Sequence, residues 1–294
     1  MEFRQIRFFL EIVKAGGFHR AAASLRVAQP AISVAIRNLE EELGITLFDR
    51  ERKKVRLTAE GHIFFRRATA LEVLLRDIEL EMGELRGVER GELRLGLPSM
   101  LASHVFPEVI TGFRQRYPGL HISVYGGGGV RIVEMIENGE VELGIISGSH
   151  VPESLDYLPL LREEMVACIA TDHPLSRSAS ITLKKFASES LFLFEKGYFQ
   201  RELLESLFQG EGLRPEVVFE TNHVPLLISV TASGGGATTL LRLAAEAAPG
   251  LVPLSFEPPL FIEAGIAWKR KSYLSSAARA FLDYLQPSSD RREK

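Results

Sequence analysis

The apolar residues of the first 60 positions predict three short helices followed by a β-hairpin. They recur every three or four positions over residues 3–13, and Gly16 and Gly17 end this first helix. The alanine-rich run "HRAAASL" predicts a second helix, and Pro30 stands in the first turn of a third, "QPAISVAIRNLEEEL". Two β-prone runs, 45–49 and 55–58, enclose a charged tip. The segment therefore has the spacing of a helix-turn-helix followed by a β-hairpin wing.

A longer helix with a regular apolar seam is predicted next. Its apolar positions are separated alternately by four and three residues: Phe64, Ala68, Leu71, Leu75, Ile78, Met82 and Leu85. Thr58 is available to cap its N-terminus. A strict 3.5-residue period held for three heptads favours pairing with the same helix of a second chain, and packing against the helix's own domain is the alternative. The polar run "RGVERGE" then predicts a linker.

Strands and helices alternate from residue 92 onward. The order βαβαβ over residues 92–148 predicts a parallel sheet with right-handed crossovers. A link at Leu160 to Met165 leads to a second block of this kind, and "LFIEAGIAWKRKS" predicts a strand that returns from it. The expected architecture is two α/β lobes joined by two crossing strands, with a cleft at their interface. The tail "PSSDRREK" is expected to be disordered.

Composition and charge narrow the class of protein. A chain of 294 residues with 46% hydrophobic residues can fill two or three ordinary cores. Charged residues interrupt the apolar positions at the N-terminus, so we expect a cytoplasmic protein with no membrane partner. Residues 1–58 hold eleven Lys/Arg against seven Asp/Glu, a net charge of +4, whereas the remainder holds 24 against 31, or −7. This asymmetry indicates that only the N-terminal segment contacts a polyanion such as nucleic acid.

Residue types that carry catalysis or bind metals form no suggestive pattern. The seven histidines lack metal-ligand spacing, no nucleophile motif is present, and the single cysteine, Cys168, is interpreted as a buried thiol rather than a redox centre. We therefore expect no catalytic residue, metal or cofactor, and hence not an enzyme. The run Gly126 to Gly129 predicts either backbone N–H groups that bind a small anion or a plain glycine turn. Two further alternatives stay open: Ser99 as ligand contact or helix cap, and His223 as loop residue or ligand contact.

One long motif carries a family resemblance. The run "AAASLRVAQPAISVAIRNLEEELGITLFDR", followed by "VRLTAEG", contains the paired alanines, Gln29-Pro30, Ser33, Leu43-Gly44 and Arg50. On these residues the chain resembles the LysR-type transcriptional regulators over nearly its whole length. The resemblance implies a mostly α-helical winged helix-turn-helix, a long linker helix and an α/β two-lobed effector domain similar to periplasmic binding proteins. The implied function is a DNA-binding transcriptional regulator modulated by a small-molecule effector, expected to be an anionic metabolite.

Pattern and resemblance together give the expected domain boundaries. These are 1–58 for the winged helix-turn-helix, 59–86 for the linker helix that dimerises as a coiled coil, 87–91 for a hinge and 92–294 for the effector domain. Lobe I is expected over about 92–161 and 268–294, and lobe II over about 162–267.

The resemblance implies that the third helix enters the DNA major groove. The side chains expected at base edges are Gln29, Pro30, Ser33 and Val34, with Arg37 near the backbone. In the wing, Arg50 is expected in a minor groove, and the expected phosphate contacts are Arg52, Lys53, Lys54 and Arg56. Many family members have an arginine where this chain has Val34, so readout at that step is expected to be less directed at guanine.

The implied effector site lies between the lobes. Its expected lining is Ser99, Met100, Gly127, Gly128, Gly129, Val130, Ser147, Phe194, Glu195 and its neighbours to Gly197, Asn222 and His223. Many relatives bind carboxylates through a hydroxyl side chain at the position of Gly129, which here offers only backbone amides. The resemblance also implies self-association as a dimer or tetramer on promoter DNA, an activator role, and RNA polymerase as a candidate partner.

Two other classes of protein compete with this interpretation. A solute-binding protein of a transporter would share the two-lobed body, but it would need an export signal and neither a basic N-terminal segment nor heptads. An α/β enzyme would place a convergent nucleophile, acid or metal set at the cleft, and the sequence contains none that is recognisable. Both alternatives are therefore disfavoured.

Overall fold

In the computed structural model, which describes residues 1–49, 55–85 and 91–286, the chain divides into two units between Gly83 and Glu84. The predicted wing tip, the segment 86–90 and the tail from residue 287 lie outside the described residues. The N-terminal unit contains α1 (Phe3–Ala15), α2 (Phe18–Leu25), α3 (Gln29–Leu43), β1 (Phe48–Asp49), β2 (Arg56–Leu57) and all but the last two residues of α4 (Ala59–Leu85). The three short helices, the hairpin and the long helix that the apolar pattern predicts are confirmed.

Glycine and proline set the boundaries of the three short helices. Gly16 and Gly44 end α1 and α3 in the left-handed conformation, both with φ of 67°, and Pro30 lies in the first turn of α3. The helices bury Phe9, Ile12, Ile32, Ile36 and Leu39 completely. Phe9 contacts Phe48 of β1 with ring centroids 5.1 Å apart, so the hairpin packs on the same core.

Helix α4 begins inside this core. Thr58 accepts a hydrogen bond from the Gly61 N–H at 2.9 Å, which confirms the predicted cap. The first two positions of the predicted seam pack on the unit itself: Phe64 meets Phe9 edge to face at 4.9 Å, and Ala68 is buried. The expectation that the whole seam pairs with the same helix of a second chain is therefore too broad. Farther along the helix the exposed apolar side chains are Leu71, Leu74, Ile78 and Met82.

The C-terminal unit alternates strands and helices as predicted. Its elements are β3 (Glu92–Leu97), α5 (Ser99–His104), α6 (Phe106–Arg116), β4 (His121–Gly126), α7 (Gly129–Glu137), β5 (Leu143–Ser147), β6 (Leu155–Ala170), β7 (Ser180–Thr182), α8 (Leu183–Phe186), β8 (Leu191–Phe194), α9 (Phe199–Gly210), β9 (Val217–Thr221), α10 (Val224–Ala232), β10 (Thr238–Leu241), α11 (Arg242–Glu246), β11 (Leu251–Glu257), β12 (Leu260–Lys269) and α12 (Ser276–Leu285).

Two long strands run through both lobes. In the main sheet the strand order is β4-β3-β5-β12-β6-β11-β7, and β10 also pairs with β6. β12 lies antiparallel to β6 over its whole length and pairs with β5 of the first lobe from Ala264 to Trp268. The opposite end of β6 pairs with β10 and β11 of the second lobe. The expected second-lobe boundary at residue 267 thus falls within the part of β12 that pairs with β5.

Helices cover both faces of the first-lobe sheet. On one face Phe113 of α6 meets Phe281 of α12 edge to face at 4.9 Å, above the buried strand β3. On the other face Ile132 and Ile136 of α7 form a separate apolar cluster with Ile146. The sheet therefore holds α7 rigidly with its N-terminus at the carboxyl end of β3 and β4.

Strand directions confirm the predicted parallel sheet only in part. β3 pairs in parallel with β4 and β5, and β8 with β9, as predicted. The predicted link at Leu160 to Met165 is wrong, because β6 continues through it; the charged residues that suggest a link pair with β12 between the lobes. β11 was not predicted, because Pro253 interrupts its apolar run and proline usually argues against a strand. In the structure Pro253 is tolerated opposite Cys168 of β6.

The run "ASHVFPEVITGFRQRYPG" predicts the first helix of this order as a single element, and that prediction is wrong at one position. The chain forms α5 and α6 with a break at Val105, because Pro107 cannot donate a backbone hydrogen bond within a helix interior. Proline is tolerated where it stands, in the first turn of α6.

Cys168 lies near the C-terminal end of β6 with no exposed surface. Burial raises the pKa of its thiol to about 12. The thiolate is therefore strongly disfavoured, in agreement with the interpretation of a buried, unreactive thiol.

We expect Gly61→Ala to destabilise the N-terminal unit although alanine favours helices. A Cβ atom at Gly61 would collide with the Leu47 backbone carbonyl, which leads into the hairpin, and overpacking of this kind costs about 1–3 kcal/mol. Hydrogen exchange of α1 and α3 amides in the full chain measures the loss. Gly17→Ala is the matched control, because nothing lies within 4 Å of its Cβ position. Equal protection in both variants would contradict this packing.

Candidate functional site

One face of α3 exposes the residues that the sequence assigns to DNA. Gln29, Pro30, Val34 and Arg37 are exposed and Ser33 is half-buried, whereas Ile32 and Ile36 point into the core. The spacing of one, three, one and three residues places all five on one side of the helix. The Gln29 amide donates to the Ser33 hydroxyl at 2.8 Å, so the two polar groups are already held together. Arg50, Arg52, Lys53 and Lys54 lie outside the described residues, and Arg56 is exposed on β2.

A buried carboxylate connects α3 to the wing. Glu40, only 6% exposed, accepts hydrogen bonds from the backbone N–H groups of Leu47 at 2.7 Å and Phe48 at 3.3 Å. Sequence reasoning assigned Glu40 no role. The available indication was its position eight residues before Phe48, an aromatic, β-prone residue. A charged side chain at that distance can bind the backbone N–H groups where the strand begins. The contact fixes the direction in which the hairpin leaves α3.

A cavity of about 600 Å³ lies between the two lobes of the C-terminal unit. Residues of four segments line it: Gly129, Val130, Val133 and Glu134 of α7; residues between Ile146 and Pro152, at the end of β5 and in the loop after it; residues between Gly197 and Ser206 around α9; and Phe261 to Glu263 of β12. Its size is that of a site for a small molecule. Because its walls come from both lobes and a crossing strand, an occupant would contact both lobes and the strand that joins them.

The two lobes touch directly beside this cavity. The Val130 N–H, in the first turn of α7, donates to the Gly197 carbonyl at 3.4 Å. A Cβ atom on Gly128 would lie 2.5 Å from that carbonyl oxygen, so only glycine permits the approach. The first turn of α7, where the glycine run predicts an anion site, is therefore already contacted by an oxygen of the protein.

The predicted effector residues fall into two groups. Gly129, Val130, Ser147 and Gly197 line the cavity. The others are not among its lining residues: Ser99, Met100, Gly127, Gly128, Phe194, Glu195, Asn222 and His223.

Most of the second group make contacts within the protein. The Ser99 hydroxyl donates to the Asn222 carbonyl at 3.4 Å, and the Asn222 amide donates to Glu195 at 3.2 Å. Met100 and Phe194 are buried. Ser99 does not cap α5, and His223 makes no side-chain cap to α10. These loops form a polar contact between the lobes next to the cavity.

Several lining residues were missed by sequence reasoning. On α9 they are Phe199, Glu202, Leu203 and Ser206, whose spacing of i, i+3, i+4 and i+7 marks one helix face. That spacing was the available signal, but alone it does not distinguish a cavity wall from a core face. The cavity-lining residues of β12 could not be predicted from the sequence, because their position depends on which strand pairs with β6.

A buried arginine holds α9 in place. Arg201, 5% exposed, donates to the Phe194 carbonyl at 2.9 Å and to the carboxylates of Glu205 and Glu220 at 2.8 and 2.5 Å. These charge-assisted bonds tie α9 to the ends of β8 and β9. Arg201 therefore holds α9 in place, and with it the residues of α9 that line the cavity.

Comparison with protein families agrees with this arrangement. Residues 3–62 match the model described as "Bacterial regulatory helix-turn-helix protein, lysR family", and residues 86–289 match the LysR substrate binding domain. The chain belongs to the LysR family of transcriptional regulators. It is therefore a DNA-binding regulator with an effector-binding domain rather than an enzyme, as the sequence predicts.

Known relatives of this LysR-family regulator match along nearly the whole chain. The uncharacterised regulator YybE of Bacillus subtilis is 29% identical, over 97% of this chain and 98% of its own length. The transcriptional dual regulator GltC of the same species is 28% identical, over 97% and 96%. A variant of full-length OxyR from Pseudomonas aeruginosa shares the fold, with a TM-score of 0.71, 23% identity, and coverage of 98% and 96%.

Two negative findings concern other functions. Among the described helices of this LysR-family regulator, none combines the length and apolar character needed to cross a membrane. Within the described part of the chain, no group of three or more His, Cys, Asp or Glu side chains is placed to hold a metal ion.

The crossing segment of β6 is held by an ion pair. Arg242 of α11 donates to Glu164 at 2.7 Å and to the Ser255 hydroxyl at 2.6 Å. The Arg242 hydrogen bond holds the pKa of Glu164 below its ordinary value of 4.5. Glu164 pairs in register with Phe261, which lines the cavity. This contact therefore supports the cavity from the second lobe.

We expect Glu164→Gln to lower the stability of the C-terminal unit at neutral pH. Because folding lowers the pKa of Glu164, its contribution is full above pH 4.5 and is lost as the pH falls toward the lowered pKa. Loss of a hydrogen bond to a charged group costs about 1.5–3 kcal/mol. Urea unfolding of the full chain at neutral and acidic pH measures both effects. Glu153→Gln, at an exposed carboxylate, is the control; an equal loss at every pH would contradict the assigned role.

Proposed function

We propose that this regulator recognises promoter DNA through the exposed face of α3 and the wing, and that a small molecule bound in the inter-lobe cavity modulates this activity. The observation that carries the proposal is the exposed row on α3, opposite a fully buried face. Gln29, Ser33 and Val34 can meet base edges by hydrogen bonding and by contact with a thymine methyl group. Pro30 completes the contact surface, and Arg37 is assigned to a phosphate.

The wing supplies the remaining proposed DNA contacts. Arg50 is assigned to a minor groove, and Arg52, Lys53 and Lys54 to phosphates. The direction in which β1 and β2 leave the core supports this assignment, because Glu40 holds the start of β1 against α3.

Self-association through α4 forms the second part of the proposal. Leu71, Leu74, Ile78 and Met82 are between 37% and 55% exposed, and apolar rows on a long helix are typical of coiled-coil pairing. A dimer along this row would present two copies of α3. Assembly of such dimers into a tetramer stays a prediction.

The effector is proposed to act by shifting the population of lobe arrangements. A molecule in the cavity contacts α7, α9 and β12 together, so its affinity must differ between arrangements of these elements. An activator role, contact with RNA polymerase, a cytoplasmic location and the domain boundaries 1–58, 59–86, 87–91 and 92–294 all remain predictions. The anionic character that the resemblance implies for the effector is replaced below by a preference argued from the cavity lining.

Binding to DNA upstream of the regulator's own gene tests the proposal. We expect Gln29→Ala to weaken specific binding by about 1–3 kcal/mol without changing its salt dependence, because a base contact is lost. Arg37→Ala should weaken binding to all sequences and reduce the salt slope by about 1, because a phosphate contact is lost. Fluorescence anisotropy across a salt series measures both.

Arg177→Ala is the control for this experiment, because Arg177 is an exposed arginine of the C-terminal unit. It should leave affinity and salt slope unchanged. Parent protein that shows no salt-dependent binding, or a Gln29→Ala variant that binds like the parent, would contradict the assignment of α3.

A further inference from the structure

The charged groups around the inter-lobe cavity are acidic. Its lining includes the carboxylates of Glu134, Glu202 and Glu263, and no lysine or arginine occurs among the described residues that line it. His150 is the imidazole of the lining. Glu134 and Glu202 lie on helices of opposite lobes, and Glu263 lies on the crossing strand. The negative charge therefore surrounds the cavity rather than lying on one wall.

Each carboxylate is held in place by a contact that involves one of its oxygens. Glu202 accepts from the Gly197 N–H at 2.8 Å, Glu134 lies 3.4 Å from Arg131, and Glu263 lies 3.7 Å from Arg162. The two arginine contacts are at exposed side chains and are therefore weak ion pairs. Glu202 is the carboxylate that a backbone N–H holds, so a cation in the cavity would meet at least this positioned group.

The remaining lining combines apolar, aromatic and hydroxyl groups. Val130, Val133 and Leu203 supply aliphatic surface, Phe199 and Phe261 supply rings, and the hydroxyls come from Ser147, Ser149 and Ser206. The guanidinium of Arg162 lies 3.7 Å from the centroid of the Phe261 ring, so a cationic ligand at this ring would take the place of that guanidinium.

One of the groups that would favour an anion already has a partner. The Val130 N–H at the start of α7 donates to the Gly197 carbonyl at 3.4 Å, and Gly129 offers no side chain. An anionic effector bound at this N–H would have to displace a protein oxygen and lie near three carboxylates.

We propose that the cavity selects a small amphipathic molecule with a cationic amine head and an apolar, aromatic-sized body, in preference to a carboxylate of the same shape. This inference rests on the proposed function for the site and specifies the chemical class of its ligand. Glu202 and Glu263 hold the ammonium group, and the two phenylalanine rings and aliphatic side chains enclose the body.

Three indole compounds of matched shape test the charge preference on the full chain by isothermal titration calorimetry. They are tryptamine, a cation at neutral pH, tryptophol, which is neutral, and indole-3-acetate, an anion. We expect tryptamine to bind about tenfold more tightly than indole-3-acetate, with tryptophol between them. In the double variant Glu202→Gln, Glu263→Gln this preference should disappear, since glutamine at 202 can still accept from the Gly197 N–H. Glu211→Gln, an exposed carboxylate beyond the end of α9, should retain it.

A cavity-filling variant tests the location. Ser206 is exposed on the cavity face of α9, so Ser206→Phe should abolish binding of the three compounds, while Ser206→Ala should preserve it. Tightest binding of indole-3-acetate, an unchanged preference in the double variant, unchanged binding to Ser206→Phe, or no binding of any compound would overturn the inference. If indole-3-acetate bound most tightly and Ser206→Phe abolished it, the effector site itself would stand and only its charge preference would fall. The DNA affinity of the ligand-free chain is measured separately, so a failure of α3 to bind DNA is distinguished from all these outcomes.

Discussion

The C-terminal unit depends on the antiparallel pairing of β6 with β12. β12 pairs with β5 of the first lobe and β6 pairs with β10 and β11 of the second, so among the described strands of the main sheet this pair joins the two lobes. Their continuous hydrogen bonding fixes the lobes at one separation along the sheet, yet the paired segment between them is narrow. The two lobes also share one hydrophobic cluster, which contains Leu95 of β3 and Leu193 of β8. The inter-lobe cavity lies against the paired segment, at Phe261 to Glu263, so a bound molecule would contact the strand that joins the lobes.

Charge is distributed so that the two units suit different ligands. The first 58 residues carry a net positive charge and present α3 to a polyanion, whereas the cavity of the C-terminal unit is surrounded by carboxylates. An acidic cavity keeps nucleic acid and similar polyanions away from the effector site. Buried charged side chains have a structural role instead. Glu40 holds the start of the wing and Arg201 holds α9, each by hydrogen bonds to backbone groups of a neighbouring element.

Much of the N-terminal fold could be predicted from local sequence patterns, because residues close together in the chain determine where its helices end and which faces are buried. Gly16, Gly44 and Pro30 set the helix boundaries of the N-terminal unit, and the 3.6-residue period identifies its buried faces. The exposed row of α3 was predictable for the same reason. The path of β6 was not, since its charged centre resembles a loop until β12 is known to pair with it. The cavity depends on such long-range pairing, which explains why only Gly129, Val130, Ser147 and Gly197 were anticipated.

Hydrogen exchange of the full chain, free and bound to its upstream DNA, tests most directly whether the cavity and α3 belong to one coupled system. Linkage requires that if a ligand in the cavity changes DNA affinity, DNA binding must bias the cavity in return. The account predicts altered exchange in residues 127–134 of α7 and its preceding loop and in residues 197–206 around α9, in addition to protection of α3. Changes confined to the N-terminal unit would contradict it.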